Sequence, residues 1–328
     1  MSTAISAKEV TESQSDLISL LRVLSVFLIV SCHVMQGLSN QWAWVLNTGV
    51  QFFFCISAFL FGKKNVDSTI PWLKRRIGRV IVPYYVYLLL VSLFIIIFSK
   101  EMFSWTTELS YALVLQGIWG GDDCLNHLWF LTWILVCYFI TPLLQRINDR
   151  SPILTCVFSF SLLALSFISV RSTYLFLYCI MYLISRNGLE RKLWLLIFCV
   201  IASVVTIFFF SWNQIKDMGS LYSIVFHLVI GITLFLLILN IRTRAVVEKI
   251  RNNKVIEAID KYSYEIYLTH HIVIVGPFSL LYFNNNLMIS LLLIIVSVLI
   301  QCVLIKKLSA PIQKKYDRKE DYSCGYSV

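Results

Sequence analysis

"VIVPYYVYLLLVSLFIIIF", residues 80–98, runs for nineteen residues without a formal charge. As a helix it would cover about 29 Å, close to the hydrocarbon depth of a bilayer. A membrane β-strand would instead alternate apolar and polar positions over ~10 residues. The continuous pattern returns in "LMISLLLIIVSVLI" (287–300). Of the 328 residues, 58% are hydrophobic and 14% charged, against about 25% charged in a soluble domain. The expected fold class is therefore all-α: a polytopic integral membrane protein with about ten transmembrane helices. Its apolar runs place spans over 17–36, 45–62, 80–98, 127–145, 152–169, 173–185, 193–210, 221–240, 263–283 and 287–305. The stretch 152–185 is too long for one span and short for two, and a hairpin at Arg171 resolves it.

The basic residues give these spans a direction. Of 28 Lys and Arg, 24 fall in the N-tail, the even-numbered loops and the C-tail. The odd loops hold only Lys100, Arg171 and Lys216. Short cytoplasmic loops are enriched in Lys and Arg, so both termini are expected in the cytoplasm. The net charge of +10 is scattered over several short loops, which argues against a nucleic-acid partner. Residues 1–16 mix Lys8 with Glu9, Glu12 and Asp16 and show no cleavage-site pattern, so the first run reads as an uncleaved span. The expected organisation is a cytoplasmic tail (1–16), a membrane domain (17–305) and a basic cytoplasmic tail (306–328). Two stretches lie outside the spans. Residues 244–261 space Val247, Ile250, Ile256 and Ile259 as an interfacial helix. Residues 104–123 form an outer lid or half-buried helix. Nine cysteines, mostly within apolar runs, show neither a disulfide framework nor CxxC spacing.

Polar groups inside spans carry the most information, because each must find a partner or a water-filled cavity. Arg22 and His33 bracket ten uncharged residues. Eleven helical steps make about 1100°, three turns plus about 20°, so both side chains share one helix face about 16 Å apart. Arg22 would lie toward the cytoplasm and His33 toward the exterior. The competing account is Arg22 snorkelling to the interface, with His33 bonding a neighbouring helix. His127 sits at the outer mouth of its span, His227 about 9 Å deep, and His270 near the midplane. His33, His127 and His227 come from three helices without tight spacing, so no metal site is expected. Glu265 lies at a depth near that of Arg22, and an Arg22–Glu265 ion pair is expected.

The residues then resemble a known family. "RVLSVFLIVSCH" (22–33) is similar to the Arg–ten residues–His pattern that opens the membrane-bound acyltransferase-3 family. Four further stretches resemble it in order: "GVQFFFCISAFLF" (49–61), "WLKRRIGRVIVPYY" (72–85), "HLWFLTWILVCYFITPLL" (127–144) and "SYEIYLTHH" (263–271). The last aligns His270 rather than His271. Ala58 stands where the family usually has Gly, and Gln51 at a position often acidic or Pro. Only a short basic tail follows the last span, as in the stand-alone form without an esterase-like domain.

The resemblance implies an O-acyltransferase of the bacterial cytoplasmic (inner) membrane. It would move an acyl group, expected to be acetyl, from cytoplasmic acyl-CoA to a hydroxyl of an envelope glycan or lipid-linked saccharide. The partners implied are acyl-CoA, that acceptor and the lipid bilayer, with no tightly bound cofactor. His33 is the expected general base or transient acyl carrier, and Arg22 steadies the thioester or a phosphate. Arg75, Arg76 and Arg79 suit the CoA phosphates, or else fix topology. Ser57, Trp129, His127, Glu265, Tyr267 and His270 are the expected substrate or supporting residues. Trp42, Trp44, Trp105 and Trp119 suit either sugar stacking or the aromatic belt. The alternative to an enzyme is a transporter or flippase for a glycan or lipid, which the absence of an internal repeat disfavours.

Overall fold

A helix keeps every backbone N–H and C=O bonded within its own segment, which hydrocarbon demands. The computed structural model describes residues 7–121, 124–165, 170–217, 220–241 and 244–317, and among these there is no strand. In chain order the helices are α1 (Ala7–Gly37), α2 (Gly49–Gly62), α3 (Thr69–Phe98), α4 (Trp105–Ala112), α5 (Gln116–Trp119), α6 (Trp129–Arg150) and α7 (Pro152–Ala164). They continue with α8 (Thr173–Arg186), α9 (Leu193–Phe209), α10 (Trp212–Lys216), α11 (Leu221–Leu239), α12 (Arg244–Arg251), α13 (Lys254–Thr269) and α14 (Leu287–Asp317). Among the described residues six stretches are long and apolar enough to cross a membrane: Gln14–Gly37, Ala43–Gly62, Thr69–Phe98, Asn126–Arg150, Leu221–Leu239 and Leu287–Tyr316. The chain is an all-helical, multi-pass membrane protein.

Three sequence expectations change. The stretch 152–185 does break near Arg171, but α7 and α8 have 13 and 14 residues. Each covers about 20 Å, short of the ~30 Å core. Residues 244–261 are not one interfacial helix, because α12 ends at Arg251 and α13 begins at Lys254. The expected span 263–283 is helical only to Thr269, and residues 270–286 are turns. His270, His271, Ile272, Val273 and Ile274 are nonetheless buried. Irregular backbone is tolerated at membrane depth where protein covers it. Over 104–121 the expected outer lid or half-buried helix is two short helices, α4 and α5, tied to their neighbours: Tyr84 Oη donates to Tyr111 O (2.6 Å) and Gln116 Nε2 to Leu128 O (2.7 Å). The expected termini fall partly outside the described residues, as do Asp122, Asp123 and Cys324.

The chain divides into two units, one of Met1–Asn65 and Leu144–Ser263, the other of Val66–Leu143 and Tyr264–Val328. In the first, α2 packs against α1, α8 and α11, and α9 packs on α11. Small residues permit the close approaches. A Cβ on Gly49 would stand 2.6 Å from Ser25 O and 3.1 Å from Ile29 N of α1. On Gly62 it would meet Ser185 of α8 at 2.8 Å, whose Oγ donates to Phe59 O (2.7 Å). In the second unit α3 packs along α14, with Gly78 under the Tyr316 ring.

Candidate active site

The first unit holds Arg22, His33 and Ser57. Helix α1 is unbroken from Ala7 to Gly37, so the eleven-step spacing leaves Arg22 and His33 on one face. Arg22 Nη1 donates to both carboxylate oxygens of Asp260 on α13, at 3.0 and 3.2 Å. The expected Arg22–Glu265 pair is thus corrected. Glu265, in the second unit, faces Lys306 Nζ of α14 at 3.7 Å. Asp260 and Glu265 are five residues apart on α13, about 140° around its axis, so they serve different faces. Among the described residues, the rest of the Arg22 guanidinium has no protein partner, and its side chain is a third exposed. A fork of donors held by one acid can still meet an anion.

His33 Nδ1 lies 2.7 Å from Gln36 Oε1, one helical turn on. In that contact the amide oxygen favours the tautomer with the hydrogen on Nδ1. Ser57 is half-buried on α2, the helix that packs along α1. His227 is fully buried and holds backbone: Nε2 lies 2.7 Å from Trp44 O, and Nδ1 lies 2.6 Å from Ser223 O. It braces the outer loop rather than facing a ligand.

The second unit holds the other expected residues. Arg75 and Arg76 are half-buried and Arg79 exposed in the first turns of α3, where Gln313 Nε2 of α14 donates to Arg79 O (3.2 Å). His127, Tyr267 and His270 come together, joined by His271, which the family alignment passes over. The His127 ring stacks on His271 at 4.6 Å and lies 5.2 Å from His270. These groups hold the broken end of α13. The last carbonyls of a helix lack intrahelical donors. Here His127 Nε2 reaches Leu268 O (3.0 Å) and His270 Nδ1 reaches Tyr267 O (2.8 Å). Tyr267 Oη donates back to His127 O, and His271 Nδ1 approaches Cys124 O at 2.8 Å. Trp129 is half-buried at the start of α6. Among the described residues no group of three His, Cys, Asp or Glu is arranged to hold a metal.

Residues 16–306 match the acyltransferase-3 model, described as an acyltransferase domain. The chain belongs to the acyltransferase-3 family. No curated protein and no solved structure matches it. Membership makes acyl transfer the chemistry to which this acyltransferase-3 chain's residues must be fitted. Three participants escaped the sequence reading. Gln36 was visible as the polar residue one turn beyond His33. Asp260 was visible as an acid on α13, but that helix was begun nine residues too late, at 263 instead of Lys254. Lys306 was assigned to a tail, whereas α14 carries it as helix.

Proposed function

We propose that this protein transfers an acyl group, acetyl in the first instance, from cytoplasmic acyl-CoA to a hydroxyl of an envelope glycan or lipid-linked saccharide in a bacterial cytoplasmic membrane. The observation that supports the reading is His33, with Nδ1 2.7 Å from Gln36 Oε1, on the same face of α1 as an acid-held arginine. Nε2 removes the proton of the acceptor hydroxyl while its oxygen attacks the thioester carbonyl. The C–S bond breaks, and the imidazolium returns the proton to the departing CoA sulfur. Arg22, about 16 Å along α1 from His33, offers its remaining N–H groups to a phosphate of the donor rather than to the reacting carbonyl. Arg75, Arg76 and Arg79 supply cations of the kind that hold CoA phosphates.

The test supplies purified protein with acetyl-CoA and a set of lipid-linked glycans and follows CoA release. His33→Ala is expected to lower the rate by about 10²- to 10⁴-fold; transfer undiminished by that change overturns the reading. A trapped acyl-His33 adduct in a single turnover would replace base catalysis with a two-step route through Nε2.

A further inference from the structure

The outer end of α1 closes in a way that points to the acceptor. Asn40 N donates to Met35 O (2.8 Å) and Ser39 N to Gln36 O (2.9 Å), with Ser39 at a left-handed φ of 53°. This is the closure usually made by glycine, and it fixes the direction of the next residues. Asn40 Oδ1 then accepts from Trp42 N (2.9 Å) and starts a short 3₁₀ turn over Ala43–Leu46. That turn packs back on α1, where Cys32 Sγ lies 3.2 Å from Ala43 O. The two bonded residues are the chain neighbours of His33 and Trp42. Across from the turn stands α10, shaped by a Ser211–Gln214 capping box. Its Trp212 meets both Trp42 and Trp44 edge-to-face at 4.8 Å. Trp44 is buried at 7% exposure, while Trp42 and Trp212 remain 48% and 45% exposed. Beside them Gln41 and Asn213 are exposed amides.

We propose that Trp42 and Trp212 form the binding platform for a saccharide ring of the acceptor, delivering its hydroxyl toward His33. A pyranose has an apolar C–H face and a polar hydroxyl rim. An indole face takes the first and amides take the second. A belt tryptophan needs only lipid and headgroup around it. These two rings instead pack on each other, with Trp212 also held by the buried Trp44; they are flanked by amides, and the Trp42 turn is tied one residue from His33. The proposal rests on acyl transfer at His33, and the experiment separates the two.

The full-length protein in lipid nanodiscs is titrated with the methyl glycosides of glucose, galactose, rhamnose and N-acetylglucosamine, and saturation transfer to the ring protons is read by NMR. At least one glycoside is expected to receive transfer on its C–H face. Trp42→Leu and Trp212→Leu should weaken that binding by about fivefold to tenfold, with Trp105→Leu as the unaffected control. Trp42→Tyr keeps an aromatic face and should retain part of the signal, which guards against loss through misfolding. No transfer from any glycoside, or equal transfer in the leucine variants, overturns the platform. So does quenching of Trp42 and Trp212 fluorescence by brominated acyl chains to the level of Trp105, which makes them belt anchors. If His33→Ala keeps full activity while glycosides bind at the tryptophans, the catalytic reading fails and the platform stands. If His33→Ala is inactive and the tryptophan variants bind as wild type, the reverse holds.

Discussion

Gln36 sets what His33 can do. The Gln36 contact at Nδ1 favours one tautomer and one ring rotation, and losing it lets a larger fraction of molecules present the wrong nitrogen. Removing one such hydrogen bond costs about 1 kcal/mol, so Gln36→Leu is expected to slow transfer roughly fivefold. Gln36→Glu should recover the lost rate, because its carboxylate accepts the same hydrogen. Steady-state kinetics on the three proteins checks this, with the loss falling on kcat rather than on donor KM. Asp260 stands in the same relation to Arg22. Because the pair is partly exposed, with side-chain exposures of 32% and 19%, Asp260→Ala should cost about 1 kcal/mol of stability. A double-mutant cycle with Arg22→Ala should show the coupling. At this scale the sequence exposed the two ends of "RVLSVFLIVSCH" and their shared face, because helical angle follows from spacing alone. It did not expose which acid meets Arg22, because that depends on where α13 begins.

Among the elements, α2 and α13 teach opposite lessons. The apolar run of α2 was read correctly, and Gly49 within it turns out to be a contact surface. A methyl there collides with two backbone atoms of α1, which cannot swing aside as a side chain would. Gly49→Ala is therefore expected to destabilise the fold by about 1–3 kcal/mol, read as a lower unfolding temperature in detergent. For α13 the apolar run misled. "SYEIYLTHHIVIVGPF" (263–278) has the composition of a span, and hydropathy does not distinguish a helix from buried turns. The helix ends beneath two imidazoles, His270 of its own chain end and His127 ahead of α6. His270 Nδ1 reaches Tyr267 O and His127 Nε2 reaches Leu268 O, in place of the donors that a following turn would supply. His127→Leu removes the donor to Leu268 O and leaves that buried carbonyl short of a partner. It should cost about 1–3 kcal/mol, and thermal unfolding alongside transfer activity separates this capping role from a catalytic one.

For the molecule as a whole, the charge count reads as orientation, and the structure adds that some of those charges also hold helices together. Lys63 is one of the basic residues of the second loop that enter the charge count. Its Nζ pairs with Glu190, whose side chain is 3% exposed, and the Glu190 carbonyl accepts from Asn240 Nδ2 (2.8 Å). Arg186, four residues before Glu190, bonds Asn65 Oδ1 (2.7 Å) and Asp149 Oδ1 (2.9 Å). Lys63→Ala strands a buried carboxylate and should lower stability by about 1–3 kcal/mol. Adding Glu190→Gln should restore part of it, which thermal denaturation of the single and double variants decides. No count of basic residues predicts this, because a cation that orients a loop and one that neutralises a buried acid look alike in sequence.

The polar content of α13 also bears on how the chain is made. The helix carries Glu257, Asp260, Lys261 and Glu265 within its sixteen residues, and each charge opposes partition from the translocon at a cost of a few kcal/mol near the bilayer centre. It cannot leave the translocon as an independent segment. Among the described residues Glu265 is matched by Lys306, which emerges from the ribosome some forty residues later. The expected consequence for biogenesis is that Glu265 becomes buried only after α14 has been synthesised. A nascent chain arrested before Lys306 should leave Glu265 accessible to water-borne reagents, and release of the arrest should bury it.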